Sequence, residues 1–188
     1  MHDVQHPAGF LLAMGLLCQI EPGGYVHLGT LCSSFAWINK ATHKRSLFFT
    51  EGDTSLPHVR LGNALASRTA VLAMLAWCKG VVWSVENPCN SALIQQRDMQ
   101  FLVRWFAEKE ANGWPAGVRR HSVCLGSFGA ASRKPVWVYS SDDLTGPLSP
   151  PDVVQGSPEE IGCSAGPVAI QPQTLHVCCV SLALAYYL

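Results

Sequence analysis

Residues 80–89 read GVVWSVENPC, and this stretch decides the fold. Its apolar part, Val81 to Val85, is almost uninterrupted, which is typical of a strand that is buried on both faces in a parallel sheet. The run ends in Glu86 and Asn87, so a buried strand delivers a carboxylate and an amide at its carboxyl end. Either this pair lies in a cleft and takes part in chemistry, or it only turns the chain into the next helix.

Helical and strand patterns alternate on both sides of this stretch. The predicted elements are a helix from Ala8 to Cys18, a strand from Tyr25 to Leu31, a helix from Asn63 to Lys79, the strand Val81 to Val85, a helix ending near Asn112, and strands within 121–129 and 135–141. Asn63 is the predicted N-cap of the second helix, and Asn90 or Ser91 that of the third.

Strands that alternate with helices indicate an α/β fold with a parallel sheet. The last two strands are so close in sequence that they can pair only as an antiparallel hairpin. We therefore predict a partial, Rossmann-like sheet, half of a doubly wound fold, that is mostly parallel and ends in a C-terminal antiparallel hairpin.

The length and composition indicate one globular domain. The chain has 188 residues, 48% of them apolar and 14% charged, with no net charge. We predict an α/β domain over residues 1–141, a Pro/Gly/Ser-rich linker or disordered segment over 142–173, and an apolar tail of unknown role over 174–188. The tail is shorter than the roughly 20 residues that a membrane-spanning helix needs, so no membrane span is predicted.

The eight cysteines follow no recognisable framework. No Cys-x-x-Cys occurs and the spacings are irregular, so neither a zinc site nor a set of disulfides is predicted. Reduced, mostly buried cysteines favour an intracellular protein, nuclear or cytoplasmic.

Reactive side chains follow two of the predicted strands. Cys32, with Ser33 and Ser34, comes after the first strand, and Glu86 with Asn87 comes after the second. In an open α/β sheet, ligands bind beyond the carboxyl ends of the strands. If the two strands are neighbours, a thiol and a carboxylate open onto the same cleft. Each signal alone has a simpler interpretation, a packed thiol in one case and a turn in the other.

The chain resembles a known family at these residues. Cys32-Ser33-Ser34-Phe35 looks like the Pro-Cys-x-x-Phe-Ser nucleophile loop of cytosine-C5 DNA methyltransferases, and Glu86-Asn87 looks like their Glu-Asn-Val. SVCLGSFGAASRKPVWVYSS, from residue 122 to residue 141, is similar to the later hairpin of divergent, phage-type relatives. The resemblance covers about residues 3 to 141.

The resemblance implies a role for each of the three residues. Cys32 would be the thiolate that attacks C6 of a flipped cytosine. Glu86 would hold or protonate the N3 edge of the pyrimidine, and Asn87 would position the loop or the base. DNA is the implied partner, and the predicted phosphate contacts are Lys40, Lys44, Arg45, Arg133 and Lys134.

One part of the family pattern is missing. No Phe-x-Gly-x-Gly loop follows a strand before Cys32, and Gly23-Gly24 precedes its strand instead. The chain therefore looks N-terminally truncated, and we expect it to bind S-adenosylmethionine only if a partner chain or a missing N-terminal segment completes it. The alternative is a non-enzymatic module that uses the same fold to bind nucleic acid or protein. A thiol-dependent hydrolase needs a histidine near Cys32, and only His27 lies in the preceding strand.

Overall fold

The computed structural model describes residues 4–31, 33–114, 117–124 and 135–142, and the backbone of 180–183. The helices are α1 (Pro7–Gln19), α2 (Lys40–His43), α3 (Pro57–Cys78) and α4 (Arg97–Ala111). The strands are β1 (Tyr25–Gly29), β2 (Val82–Pro88), β3 (Arg119–Cys124), β4 (Pro135–Ser140) and β5 (Val180–Ala183). Short 3₁₀ helices lie at Ser33–Phe35, Trp37–Asn39 and Leu93–Gln95.

The five strands form one mixed sheet in the order β3-β4-β2-β1-β5. β1 runs parallel to β2 and to β5, whereas β4 runs antiparallel to both β2 and β3. The α/β class, the parallel β1–β2 pair and the antiparallel hairpin agree with the sequence prediction. A parallel majority is not found, because the second strand of the hairpin also pairs with β2.

The crossover helix α3 begins earlier than predicted. It begins at Pro57 and Leu56 is its N-cap, so Asn63 lies inside the helix instead of capping it. Proline suits the first helical turn, where its missing N–H needs no partner. The predicted stop is confirmed, since Gly80 follows the helix with φ +68°.

α4 is capped by a glutamine that the sequence reading did not select. The side chain of Gln96 accepts hydrogen bonds from the backbone N–H groups of Asp98 and Met99. Asn90 and Ser91 were predicted as caps, but they lie in the turn that precedes the 3₁₀ helix at Leu93–Gln95. The 3₁₀ helix delays the start of α4 to Arg97.

The main core lies where β1 and β2 meet the helices. Val26 and Leu28 of β1 share a sheet face with Trp83 and Val85 of β2, because the two strands pair in register. These side chains join one buried cluster with residues of α1, α3 and α4. The ring of Trp83 lies 5.3 Å from that of Phe106 in α4.

α3 has the length and apolar composition of a membrane-crossing helix, and it is the one helix in the described ranges that does. Its buried apolar residues between Leu65 and Ala76 belong to the main cluster that includes β2 and α4, as expected for the core helix of a domain.

The structure describes only part of the C-terminal region. The Pro/Gly/Ser-rich segment, 142–173, lies outside the described residues except for Asp142. Within the apolar tail, 174–188, the backbone of Val180–Ala183 forms β5 and pairs with Val26–Gly29. The tail therefore contributes an edge strand to the sheet.

We predict that Trp83→Ala lowers the free energy of unfolding by about 3–5 kcal/mol, because a large buried ring is lost and a cavity remains. Urea unfolding followed by circular dichroism measures this change. Val71→Ala is the control, since Val71 lies on α3 and is 44% exposed. Equal losses for the two variants would contradict the assignment of Trp83 to the core.

Candidate functional site

The carboxyl ends of β1 and β2 lie side by side. The two strands are parallel, and Gly29 pairs with Glu86. Both strands therefore end at the same edge of the sheet, as a crossover through α3 requires. The sequence prediction that the two reactive strand ends are neighbours is confirmed at the level of the backbone.

The two loops that leave this edge are joined by backbone hydrogen bonds. The N–H of Trp37 donates to the carbonyl of Asn90 over 3.0 Å, and the N–H of Ala92 donates to the carbonyl of Phe35 over 2.8 Å. The turn at Ser33–Phe35 is thus held against the segment that follows β2. Cys32 lies outside the described residues, so its role as nucleophile stays a prediction.

Asn87 is the most unusual polar residue at this edge. Its side chain is 1% exposed. Within the described part of the chain, neither Nδ2 nor Oδ1 has a hydrogen-bond partner. A buried amide without partners costs free energy, and such groups are rare in folded proteins. The amide is therefore well suited to bind a polar ligand at this edge.

Glu86 and Asn87 do not share a face of the sheet. They are consecutive residues of β2, and successive side chains of a strand point to opposite faces. Glu86 lies on the face of His27 and Ser84, whereas Asn87 lies on the face of Trp83 and Val85. The two side chains therefore lie on opposite sides of the sheet edge and do not line one surface together.

Gly29 lies beside Glu86 at the carboxyl edge. Among the residues that the structure describes, a Cβ atom built on Gly29 would meet no other atom within 4 Å. The glutamate itself is half-buried. The glycine therefore places no side chain beside the Glu86 carboxylate, of which one oxygen is buried.

Ser34 is a second buried polar group that the sequence reading did not select as a site residue. Its hydroxyl has no hydrogen-bond partner among the residues that the structure describes. It packs closely on α3, since a Cβ atom at Gly62 would come within 2.0 Å of the Ser34 Oγ atom. Only a glycine at position 62 allows the turn to lie this close to the helix.

Arg45 is a correction to the sequence prediction. It was predicted to contact nucleic acid, but it is 0% exposed. Its guanidinium donates to the carbonyl of Ser34 over 2.8 Å and to Oδ1 of Asn63 over 2.8 Å. It also donates to the carbonyls of Thr50 and Val59. A side chain enclosed in this way cannot reach a phosphate.

The environment of Arg45 explains its burial. Its guanidinium lies 4.0 Å from the ring centroid of Phe35, at a distance typical of a cation–π contact. Burial lowers the pKa of Arg45 to about 10, and the carboxylate of Glu51 opposes that shift. The residue therefore stays charged at neutral pH and ties the long loop to the Ser33–Phe35 turn and to α3.

The other predicted phosphate contacts remain predictions. Lys40 and Lys44 are exposed, and Lys44 pairs with Asp53 at 2.7 Å. The hydrogen bond from Lys44 is the main reason that the pKa of Asp53 falls to about 2. Arg133 and Lys134 lie outside the described residues. The next residue, Pro135, begins β4 beside the end of β2.

His27 lies in a buried polar network on β1 and not in the strand-end loop. Its Nδ1 atom is 2.8 Å from Oγ of Ser84, and the hydroxyl of Tyr25 is 2.5 Å from the same Oγ. Burial lowers the pKa of His27, which favours the neutral ring. A serine and a neutral imidazole at this distance resemble a nucleophile and its base. Ser84 is buried in the interior of β2, however, between β1 and β4 and away from the strand end, so a substrate cannot reach it.

The described residues form no metal cluster, and the Gly23-Gly24 turn lies away from the candidate site. In the described ranges, no three His, Cys, Asp or Glu side chains lie close enough to hold a metal ion. Gly23 and Gly24 form the turn between α1 and β1, at the amino end of the strand. That turn is at the opposite edge from Glu86, so it cannot hold S-adenosylmethionine at the candidate site.

Trp137 is a further residue that sequence patterns did not mark. It pairs with Asn87 in the antiparallel β2–β4 register, so the two side chains are neighbours on one sheet face. Only the register reveals this, since Trp137 reads simply as an apolar residue of a strand.

Comparison of the chain with family models, with curated proteins and with solved structures found no match. The assignment of the site therefore depends on the geometry of the strand ends.

We predict that Asn87→Leu leaves the free energy of unfolding unchanged or raises it by up to about 1 kcal/mol, because it removes a buried amide that has no partner. Asn63→Leu is the matched control. Asn63 accepts from Arg45 and donates to the carbonyl of Glu51, so its loss should cost about 2–3 kcal/mol. Urea unfolding measures both variants. A similar loss for Asn87→Leu would show that its amide is paired.

We also predict that Arg45→Met costs about 3–5 kcal/mol, because several buried acceptors lose their donor. Arg45→Lys should recover little, since an ammonium cannot reproduce the planar set of donors. Lys44→Met is the control: its ion pair is exposed, and such pairs contribute at most about 1 kcal/mol. Thermal or urea unfolding measures the stability of each variant. Equal losses of stability at positions 44 and 45 would contradict the role of Arg45 in holding the loop.

Proposed function

We propose that the chain is a cytosine-C5-methyltransferase-like domain that binds a cytosine of a nucleic acid at the carboxyl edge of β1 and β2. The observation that carries the proposal is the buried Asn87 amide, which has no partner in the described ranges and follows Glu86 at the carboxyl end of β2. A pyrimidine carries hydrogen-bond donors and acceptors that an amide and a carboxylate can bind from two sides.

The proposed chemistry is nucleophilic addition. The Cys32 thiolate forms a C–S bond to C6, the electrons of the C5–C6 double bond move toward C5 and the ring, and Glu86 supplies a proton to N3. C5 becomes nucleophilic in this adduct. In the absence of another electrophile, C5 takes up a proton from water. Loss of a C5 proton, expulsion of the thiolate and return of the N3 proton to Glu86 then restore the base. The Asn87 amide orients the pyrimidine.

S-adenosylmethionine would supply an electrophilic methyl group to C5 in a complete enzyme of this type. The described residues hold no glycine-rich loop at the carboxyl edge, so we derive no methyl transfer for this chain alone. A partner chain or a further segment that provides the cofactor half is part of the proposal.

A specific observation favours the alternative, a non-enzymatic module that binds nucleic acid. The second half of a doubly wound sheet would continue from the outer edge of β1. That edge is paired with β5, a strand from the same chain. With the edge occupied, the domain would retain a ligand-binding site without a cofactor half.

Exchange of the hydrogen at C5 tests the addition step without a methyl donor. We expect the chain in heavy water to exchange the C5 hydrogen of cytosine in a short oligonucleotide, measured by mass spectrometry. Cys32→Ala should abolish the exchange, and Glu86→Gln should slow it about 100-fold or more, because proton transfer to N3 is lost. Cys18→Ala is the matched control, since Cys18 is a free, exposed thiol on α1.

The outcomes separate the two candidate functions. Oligonucleotide binding without exchange, with a salt dependence that Lys44→Ala reduces, would support the non-enzymatic module. Exchange that survives Cys32→Ala would contradict the assignment of the nucleophile. A chain that binds no cytosine-containing oligonucleotide would overturn both.

A further inference from the structure

A cluster of aromatic and cationic side chains lies beside Asn87 on β3 and β4. The register places Trp137 next to Asn87, and places Tyr139 next to Arg120. Trp137 and Tyr139 are two apart on β4, so they share one sheet face. Asn87 and Arg120 are their direct partners on β2 and β3 and lie on the same face. The cluster therefore adjoins the candidate site from the side of the hairpin.

The cluster consists of two perpendicular rings and one positive charge that lies over the indole. The Arg120 guanidinium lies 4.9 Å from the ring centroid of Trp137. Trp137 and Tyr139 meet edge to face, with ring centroids 6.4 Å apart. Trp137 is half-exposed and Arg120 is exposed, so solvent reaches both the ring and the charge.

The positive charge of Arg120 is not neutralised within the described part of the chain. The ion pairs found there join Lys44 to Asp53, Arg97 to Asp98 and Arg119 to Glu110. Arg120 instead donates a hydrogen bond to Tyr139, and it opposes the burial that raises the pKa of the Cys89 thiol. An exposed guanidinium beside a thiol, a phenol and an indole is suited to an anionic ligand.

We propose that Trp137 and Arg120 hold the nucleotide next to the target cytosine, and that the chain binds single-stranded nucleic acid in preference to a duplex. This inference rests on the proposed function of the same edge. A base stacks on the part of the Trp137 ring that the Arg120 guanidinium leaves open, and its phosphate pairs with Arg120. Stacking on a ring that lies on a sheet face requires a base with a free face, which a paired and stacked duplex does not offer.

Fluorescence anisotropy with a labelled, cytosine-containing single strand tests the inference. Trp137→Ala should weaken binding by roughly five- to a hundredfold, the usual effect of losing one stacked base. Arg120→Gln should lower the slope of log K against log salt by about 0.7, as expected for one phosphate contact with a single strand. The wild type should bind the matching duplex more weakly than the single strand.

Two control variants match the chemistry elsewhere on the surface. Trp114→Ala removes a tryptophan that is 57% exposed and lies in another cluster, with Trp77 and Lys109. Arg119→Gln removes the neighbouring arginine, which pairs with Glu110. Neither should change the affinity by more than about twofold, since exposed substitutions away from a site have small effects. Unchanged urea midpoints for all four variants would show that the fold is kept.

The failure of this inference is distinct from the failure of the proposed function. A wild type that binds the single strand, with Trp137→Ala and Arg120→Gln indistinguishable from the controls, overturns the inference alone. Preference for the duplex does the same. A wild type that binds neither form overturns the proposed function together with the inference.

Discussion

The parallel pairing of β1 with β2 is the constraint on which the rest of the structure depends. A parallel pair needs a crossover, and α3 is that crossover. Once the two strands are in register, Val26, Leu28, Trp83 and Val85 contribute one apolar surface to the main core. The same register fixes which polar groups appear at the carboxyl edge. The core and the candidate site are thus two consequences of one pairing.

Arg45 extends this order to the loop that follows β1. The segment between β1 and α3 has few apolar residues of its own that are buried, so it needs another source of order. The guanidinium supplies it by binding Ser34, Thr50, Val59 and Asn63 at once. The exposed turn at Leu47–Phe49 therefore projects from a loop whose two sides Arg45 holds in place. A buried charge with many acceptors is sensitive to the loss of any one partner.

The sequence predicts the elements that follow from periodicity, and misses those that follow from tertiary contacts. The apolar run at Val81–Val85 and the helix before it predict a parallel pair, and the pair is present. The insertion of β4 between β2 and β3 is not visible in the pattern, because periodicity does not specify a partner. The start of α3 at Pro57 was missed because Asn63 also has the residue type of an N-cap, and the start of α4 at Arg97 was missed because a 3₁₀ helix precedes it.

At the candidate site, the limits of the sequence are of the same kind. Glu86 and Asn87 could be identified because they follow a buried strand, and their edge could be predicted. Arg45 lies in a basic segment, Lys44-Arg45-Ser46, and nothing local separates a buried arginine from a solvated one. Trp137 could not be placed beside Asn87 without the register of β2 and β4. The burial of Arg45 and the position of Trp137 both depend on long-range contacts, and a single sequence records such contacts only indirectly.

The alternation of Glu86 and Asn87 restricts how a ligand can bind. A ligand that lies flat on one face of the sheet can reach only one of the two side chains. A planar ring placed beyond the end of β2, edge-on to the sheet, can reach the carboxylate from one side and the amide from the other. Gly29, which has no side chain, lies on the side of Glu86, whereas Trp137 lies on the side of Asn87. In the proposed complex, the base enters on the side of Gly29 and the nucleic acid that carries it leaves toward Trp137.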